Sequence, residues 1–169
     1  MNDWLKSAGA ALLMVTLIIT GCAIPRSANT LNDVEVSVWR GRLAVRIEPE
    51  QALSQALSAG FELLGDARTG KLTLFTPLGS TAAALSWTPQ TAIMQTSNGD
   101  VRYFDSLDAL ISQTLGTEIP VAALFAWLAG DLTTVAGWQA DLSQYADGRI
   151  TARRSAPTPL TELRLVLEK

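Results

Sequence analysis

Histidine is absent from the 169-residue sequence, and cysteine occurs only once. Without an imidazole, the chain lacks the commonest general base, the usual Ser-His-Asp arrangement and most catalytic zinc sites. Asp105 and Asp108 lie one turn apart at a predicted helix start, where capping and the helix dipole favour acidic residues without any catalysis. The sequence therefore predicts no catalytic residue and no metal site, and we do not expect an enzyme.

Basic runs and nucleotide-binding motifs are also missing. The chain has 13 Lys and Arg against 16 Asp and Glu, for a formal net charge of -3, and its only basic doublet is Arg153-Arg154. No nucleotide-binding motif such as GxxxxGK[ST] is present. The charge balance argues against a nucleic-acid partner.

The amino-terminal segment has the layout of a secretory signal. Lys6 precedes an apolar stretch at 8–20, which is shorter than the roughly 20 residues that a helix needs to cross a hydrocarbon core of about 30 Å. The small residues Thr20 and Gly21 then stand directly before Cys22. This pattern predicts a signal peptide over residues 1–21, although a thiol that simply lies in a signal segment is the alternative.

The tetrapeptide "ITGC" resembles the lipobox of bacterial lipoproteins. That resemblance implies cleavage before Cys22, a thioether diacylglycerol on its sulfur and an acyl group such as palmitate on its new α-amine. Ala23 stands where an aspartate would favour retention in the inner membrane, which implies the outer membrane. Residues 22–36 are then expected to form a lipidated tether and residues 37–169 the folded domain, with no cofactor besides the lipid.

Alternation of apolar and polar residues dominates the predicted domain. In "WRGRLAVRIE", residues 39–48, every second side chain is apolar or glycine and the others are mostly arginine, which indicates a half-buried strand. Similar patterns predict strands at 57–65, on both sides of "PLG", in a hairpin turning at Asn98-Gly99, in another turning at Asp147-Gly148, and in the final "LTELRLVLEK". The total is about nine or ten antiparallel strands, while "EQALSQALSA" leaves residues 49–58 open between helix and loop.

Two helices are predicted between the groups of strands. Asp105 or Ser106 caps "SLDALISQTLG", in which Leu107, Leu110, Ile111 and Leu115 share one face, and Gly116 ends it. The second helix, "PVAALFAWLAG", begins at Pro120 and has no charged residue. A helix that is apolar nearly all round either fills a core or lies across an open apolar groove.

The corner "PLG" is unusual because a leucine occupies its tip. Pro77 presets φ for a turn and Gly79 tolerates positive φ, but the residue between them is Leu78 rather than Asn, Asp or Ser. The simplest interpretation is that Leu78 folds back onto the core or is one ordinary exposed apolar residue.

Five segments behind the lipobox resemble, in this order, the LolB family, the outer-membrane receptors that accept lipoproteins from the periplasmic carrier LolA. The segments are "WRGRLAV", "GFEL", "LTLFTPLGSTAAAL", "LGTEIPVAALFAWLAG" and "GWQADLS". The resemblance implies a mainly β fold, an unclosed antiparallel β-barrel with an α-helical lid over an apolar cavity that holds acyl chains. It also implies that the chain takes acylated lipoproteins from a LolA-like carrier and inserts them into the outer membrane without nucleotide hydrolysis. One departure is "FELLG", where many members carry tryptophan soon after the phenylalanine and this chain has Leu63 and Leu64.

The resemblance also implies roles for particular residues. Pro77, Leu78 and Gly79 match the family's membrane-delivery loop, in which the tip leucine serves the step that places lipoproteins in the membrane. Inward strand positions and the second helix supply the candidates for the acyl cavity, each of which could equally be plain core: Leu43, Val45, Phe61, Leu72, Leu74, Leu85, Trp87, Leu124, Trp127, Leu163 and Leu165.

The expected partners are a LolA-like periplasmic carrier, acylated lipoproteins and the inner leaflet of the outer membrane. The chain is expected to be a monomer, lipid-anchored and facing the periplasm. Two other functions stay open on the sequence alone. The domain could bind a different amphiphile in the same cavity, or it could be a structural or assembly lipoprotein whose apolar stripe docks another envelope protein.

Overall fold

The computed structural model describes residues 37–49 and 53–168. The predicted signal peptide at 1–21 and the whole predicted tether at 22–36, including Cys22, lie outside the described residues, and these assignments stay predictions. All described residues belong to one unit, Val34–Lys169.

A single antiparallel sheet of nine strands organises this described part of the chain. The strands are β1 Val38–Glu48, β2 Gln55–Gly65, β3 Gly70–Phe75, β4 Thr81–Thr88, β5 Thr91–Thr96, β6 Val101–Phe104, β7 Trp138–Asp141, β8 Arg149–Arg154 and β9 Leu160–Leu167. Their order across the sheet is β6-β5-β4-β3-β2-β1-β9-β8-β7, so that β6 and β7 are the two edges. The edges do not pair, and the predicted fold class of an unclosed antiparallel barrel is confirmed.

The alternation in β1 produces two different faces of the sheet. Gly41, Val45 and Ile47 are buried, while the arginines between them point to the outer face. There, Arg40 forms a 2.6 Å ion pair with Glu62, its directly opposite partner on β2. Such an exposed pair adds at most about 1 kcal/mol, so the buried inner face is what fixes the register.

Strand β2 begins at Gln55, inside the segment 49–58 that the sequence left open between helix and loop. Residues 55–58 are extended and pair with β1, with Leu57 opposite Val45 and Gln55 opposite Ile47. The small and apolar residues in this segment fit a helical pattern as well as an extended one. They are extended because they pair with β1.

Two helices lie between β6 and β7. Helix α1, Leu107–Leu115, begins after Ser106, whose Oγ accepts a 3.0 Å hydrogen bond from the N–H of Ala109, and ends at Gly116 with φ of 67°. Helix α2, Val121–Leu128, follows Pro120 as predicted. We call α1 and α2 together the lid. Neither helix is long and apolar enough to cross a membrane.

The hairpin predicted at Asp147-Gly148 forms, but its connection is longer than a simple turn. A 3₁₀ turn at Tyr145–Asp147 precedes Gly148, whose φ is 74° and whose N–H donates to the carbonyl of Tyr145 at 2.8 Å. The turn brings Tyr145 to the end of α2, where its hydroxyl donates a 3.0 Å hydrogen bond to the carbonyl of Leu128.

Candidate functional site

An apolar cavity of about 260 Å³ lies between the concave face of the sheet and the lid. Its wall is made of side chains from β1 to β5, from β9 and from both helices, and Thr114 is the one polar residue in it. Such a wall offers no fixed hydrogen-bonding pattern to a ligand. It suits a hydrocarbon chain, whose transfer from water contributes about 0.8 kcal/mol per methylene.

The structure places most of the sequence-predicted candidates at this cavity. All but one of them line it, namely Leu43, Val45, Phe61, Leu72, Leu74, Leu85, Trp87, Leu124, Leu163 and Leu165. The strand residues share the inner face because they follow the period of two and pair in register, as with Leu72 opposite Leu63 and Leu85 opposite Leu72.

Trp127 does not share this position. Its side chain, 1% exposed, lies against Trp138 with ring centroids 6.2 Å apart, and its indole N–H donates a 3.0 Å hydrogen bond to the carbonyl of Thr133. It therefore fixes α2 to the segment that leads into β7. Phe125, two positions earlier, faces the cavity instead.

Most of the lid residues that line the cavity were not among the residues predicted from the sequence. The stripe of α1 supplies Leu107, Leu110, Ile111 and Leu115, and α2 adds Val121, Phe125 and Leu128. The stripe at positions i, i+3 and i+4 was the available signal, because a helix buries that face against whatever it covers. Leu63, at the position near which the family resemblance expects a tryptophan, also lines the cavity.

Strand β1 holds the lid over the cavity through an aromatic contact. The Trp39 indole donates a 3.2 Å hydrogen bond to the carbonyl of Leu128, and its ring meets that of Phe125 edge to face with centroids 5.5 Å apart. Phe125 also lies near Trp87, with ring centroids 6.4 Å apart.

A buried arginine holds the opposite end of the lid. Arg154, 6% exposed, donates to the Thr117 hydroxyl at 2.6 Å and to the carbonyls of Glu118 and Pro159 at 3.2 and 3.1 Å. These contacts join β8, the link between α1 and α2, and the start of β9. All three acceptors are uncharged, so these hydrogen bonds stabilise the buried guanidinium without neutralising its charge.

The "PLG" corner forms an exposed tip at the end of the β3–β4 hairpin. The N–H of Thr76 donates to the carbonyl of Ser80 at 2.8 Å, the Gly79 N–H donates to the Thr76 carbonyl at 2.9 Å, and Gly79 has φ of 83°. Leu78 is 96% exposed at the tip. It does not fold back onto the core, so of the two simple interpretations only an exposed apolar residue remains.

Charged groups with displaced pKa values lie outside the cavity. Hydrogen bonds from the N–H groups of Thr69 and Arg68 lower the pKa of Asp66 in the β2–β3 turn. The hydrogen bond from Arg153 lowers the pKa of Glu162, which lies on the outer face between Arg153 and Arg164. Within residues 37–49 and 53–168, no three acidic, cysteine or histidine side chains come together as metal ligands would.

Comparisons with known proteins agree with this architecture. Residues 38–160 match the family model described as outer membrane lipoprotein LolB. The chain is 30% identical over 191 aligned residues to the outer-membrane lipoprotein LolB of Bordetella petrii, with 100% of this chain and 93% of the relative covered. It is 34% identical over 188 residues to the LolB of Bordetella pertussis, with 97% and 92% covered. With the LolB of Ralstonia nicotianae it shares 30% identity over 130 residues, which cover 73% of this chain and 62% of the relative.

Proposed function

The chain belongs to the LolB family of outer-membrane lipoproteins, and on that premise we propose that it is a receptor that accepts acylated lipoproteins from a LolA-like periplasmic carrier and delivers them to the outer membrane. The observation that carries the proposal is the cavity, whose wall is apolar except for Thr114. An enzyme would need reactive groups at such a site, whereas a receptor for acyl chains needs a dry apolar surface.

The energetics of the cargo explain why such a cavity is needed. The acyl chains of a lipoprotein contain dozens of methylenes, and exposing each one to water costs about 0.8 kcal/mol. The cargo therefore has to pass from one apolar pocket to another. We propose that transfer runs down a gradient of affinity from carrier to receptor to bilayer, without nucleotide hydrolysis.

The volume of the cavity implies that the lid moves during acceptance. At about 260 Å³, the cavity is slightly below the range of about 300–1,000 Å³ that is usual for small-molecule sites. Side chains from α1 and α2 fill the space between lid and sheet. Displacing the lid from the sheet enlarges the cavity. The hydrogen bonds of Trp39 to α2 and of Arg154 to the link between the two helices are among the contacts that oppose this displacement.

Delivery is assigned to the tip of the β3–β4 hairpin. Pro77 and Gly79 shape a turn that holds Leu78 in solvent, and burying a leucine side chain contributes about 1.5–3 kcal/mol. This is too little to anchor a protein but enough to orient a tethered domain against the lipid headgroups. The 96% exposure of Leu78 supports this role.

Anchoring is assigned to Cys22, with a diacylglycerol on its sulfur and an acyl group on its amine. Several acyl chains give stable attachment where one gives only marginal binding. The anchored chain faces the periplasm, on the inner leaflet of the outer membrane, and acts as a monomer.

A transfer assay tests this function. A LolA-like carrier loaded with an acylated lipoprotein is mixed with the chain carrying Cys22→Ser, in buffer without detergent or nucleotide, and the complexes are separated. We expect the lipoprotein to move to the receptor. If the lipoprotein stays on the carrier while extraction of the receptor yields a different amphiphile, the proposed function is wrong and the cavity serves another ligand.

A further inference from the structure

The first half of β2 is an open strand edge within the sheet. The pairing of β2 with β3 begins at Gly60, opposite Phe75, whereas the pairing of β2 with β1 extends to Gln55. Among the residues that the structure describes, residues 55–59 therefore have a strand neighbour on one side only. Gln55, Ala56, Leu57 and Ser58 are all exposed, which leaves room along the other side.

The direction of the backbone groups along this edge follows from the ladder. The N–H of Gly65 donates to the carbonyl of Ser37 at 3.0 Å, on the β1 side, and the N–H of Asp66 donates to the carbonyl of Thr69, on the β3 side. Because the direction alternates along an antiparallel strand, odd-numbered residues of β2 bond to β1 and even-numbered residues face β3. Ala56 and Ser58 consequently direct their N–H and C=O groups away from β1, to the open side.

This edge also lacks the usual protection against pairing with another chain. Exposed edges are commonly blocked by lysine, proline or inward-pointing charges. The segment "LSQALSAG", residues 53–60, contains no charge and no proline. The outward side chains of Ala56 and Ser58 are small, so the edge is accessible to a second backbone.

The open edge is continuous with the acyl cavity. Leu57, 39% exposed, lines the cavity and lies between the two residues whose backbone groups are free. We propose that residues 55–59 bind, as an added β-strand, the extended peptide that directly follows the acylated cysteine of a cargo lipoprotein. This inference rests on the proposed function, because it takes the acyl chains of the cargo to occupy the cavity.

The chemistry of a lipoprotein explains why its own peptide would bind at this open edge. The lipid of a lipoprotein is on its first residue, so acyl chains in the cavity bring the next few residues to the cavity rim where Leu57 lies. Lipoproteins differ in sequence there, and backbone hydrogen bonds recognise an extended peptide without reading its side chains. An uncharged, unprotected edge beside the cavity provides that kind of recognition.

Synthetic lipopeptides test the proposal. The full chain is reconstituted in lipid nanodiscs and titrated first with a short-chain diacylglyceryl cysteine, the lipid alone. It is then titrated with three lipopeptides in which about six residues follow the same lipidated cysteine. One lipopeptide is unmodified, and the other two are N-methylated at alternate positions, one at the odd and one at the even positions. Empty nanodiscs give the baseline partitioning. We expect one N-methylated register to bind roughly ten- to a hundredfold more weakly than the unmodified peptide, because the hydrogen bonds to the carbonyls of Ala56 and Ser58 are lost.

Variants of the receptor provide the complementary control. Ser58→Pro removes an N–H that faces the open side and should weaken peptide binding while leaving the binding of the lipid alone unchanged, whereas Ser58→Ala keeps the N–H and should bind like the wild type. Circular dichroism checks whether Ser58→Pro is folded. If it is unfolded, the N-methylated peptides test the proposal on the wild-type receptor.

The outcomes separate this inference from the proposed function. If the lipid alone fails to bind above the nanodisc baseline, the receptor function fails and the strand addition fails with it. If the lipid alone binds and all three peptides bind equally, only the strand addition is overturned. A photoreactive residue at position 58 that crosslinks to a second copy of the chain, rather than to the peptide, would also overturn it.

Discussion

The indole N–H of Trp39, near the start of β1, donates a hydrogen bond to the backbone carbonyl of Leu128, the last residue of α2, at 3.2 Å. One residue of the sheet thereby holds the end of the lid at a carbonyl that also accepts from the Tyr145 hydroxyl. The final carbonyls of a helix lack partners within the helix, so these bonds satisfy a group that would otherwise need water.

Replacing Trp39 with phenylalanine should loosen the lid without emptying the core. Trp39→Phe keeps an aromatic ring near Phe125 but removes the hydrogen bond, at a cost of about 1 kcal/mol in the free energy of unfolding. Hydrogen exchange should increase in α2 and remain unchanged in β4 and β5. Equal exchange in α2 for variant and wild type would show that this bond does not restrain the lid.

The regular parts of this fold could be predicted from sequence because local chemistry and burial agree there. The alternation in β1 and the turn at Gly79 each have one physical solution, and the structure adopts it. Of the two predicted helix caps, Asp105 and Ser106, the structure uses Ser106. The concave face followed from the same alternation, since the period of two puts every second residue of a strand on one side.

The orientation of the second helix and the start of β2 could not be predicted in the same way. Because α2 is apolar nearly all round, its sequence does not distinguish Trp127, which packs on Trp138, from Phe125, which lines the cavity. Residues 55–58 fit two periods, and their pairing with β1 decides between them. In both cases tertiary packing supplies the information that the local pattern lacks.

A charge on the cavity face of the lid should block acceptance of cargo. Leu124 lines the cavity, so Leu124→Glu places a carboxylate among acyl chains, which is unfavourable unless it is protonated or moves into water. Ala122 is exposed on the same helix, and Ala122→Glu is the matched control. In the carrier-to-receptor assay we expect uptake to fall about tenfold or more for Leu124→Glu and to stay unchanged for Ala122→Glu. Circular dichroism must show both variants folded, and normal uptake by folded Leu124→Glu would mean that the acyl chains bind elsewhere.

Arg154 should be important for stability at the other end of the lid. Arg154→Met keeps much of the buried volume but removes the hydrogen bonds to Thr117, Glu118 and Pro159. Thr161 still contacts the Thr117 hydroxyl and the Pro159 carbonyl, so the Glu118 carbonyl is the acceptor that loses its described partner. Bonds from a charged donor are worth more than neutral ones, so we expect a loss of roughly 2–4 kcal/mol in the free energy of unfolding by urea. The exposed Arg149 provides the comparison, and Arg149→Met should change stability by less than about 0.5 kcal/mol. Similar values for the two variants would contradict the role given to Arg154.

Leu78 should matter for delivery and not for uptake. The side chain is 96% exposed, so Leu78→Glu and Leu78→Ala both leave the fold intact. Delivery to liposomes should fall in both, and further for Leu78→Glu, because its charge has to stay in water and keeps the tip off the surface. Cargo is measured over time in sedimented liposomes and in the supernatant. Delivery at the wild-type rate by both variants would make Leu78 an ordinary surface residue.

The location of the acyl chains is the central point of this account, and photocrosslinking measures it directly. A lipoprotein with photoreactive acyl chains is transferred from the carrier to the receptor, irradiated, and the crosslinked receptor peptides are identified by mass spectrometry. We predict crosslinks to the inner residues of β1 to β4 and to the lid, such as Leu43, Leu74 and Phe125. Crosslinks confined to the outer face of the sheet or to the surroundings of Arg154 would contradict it.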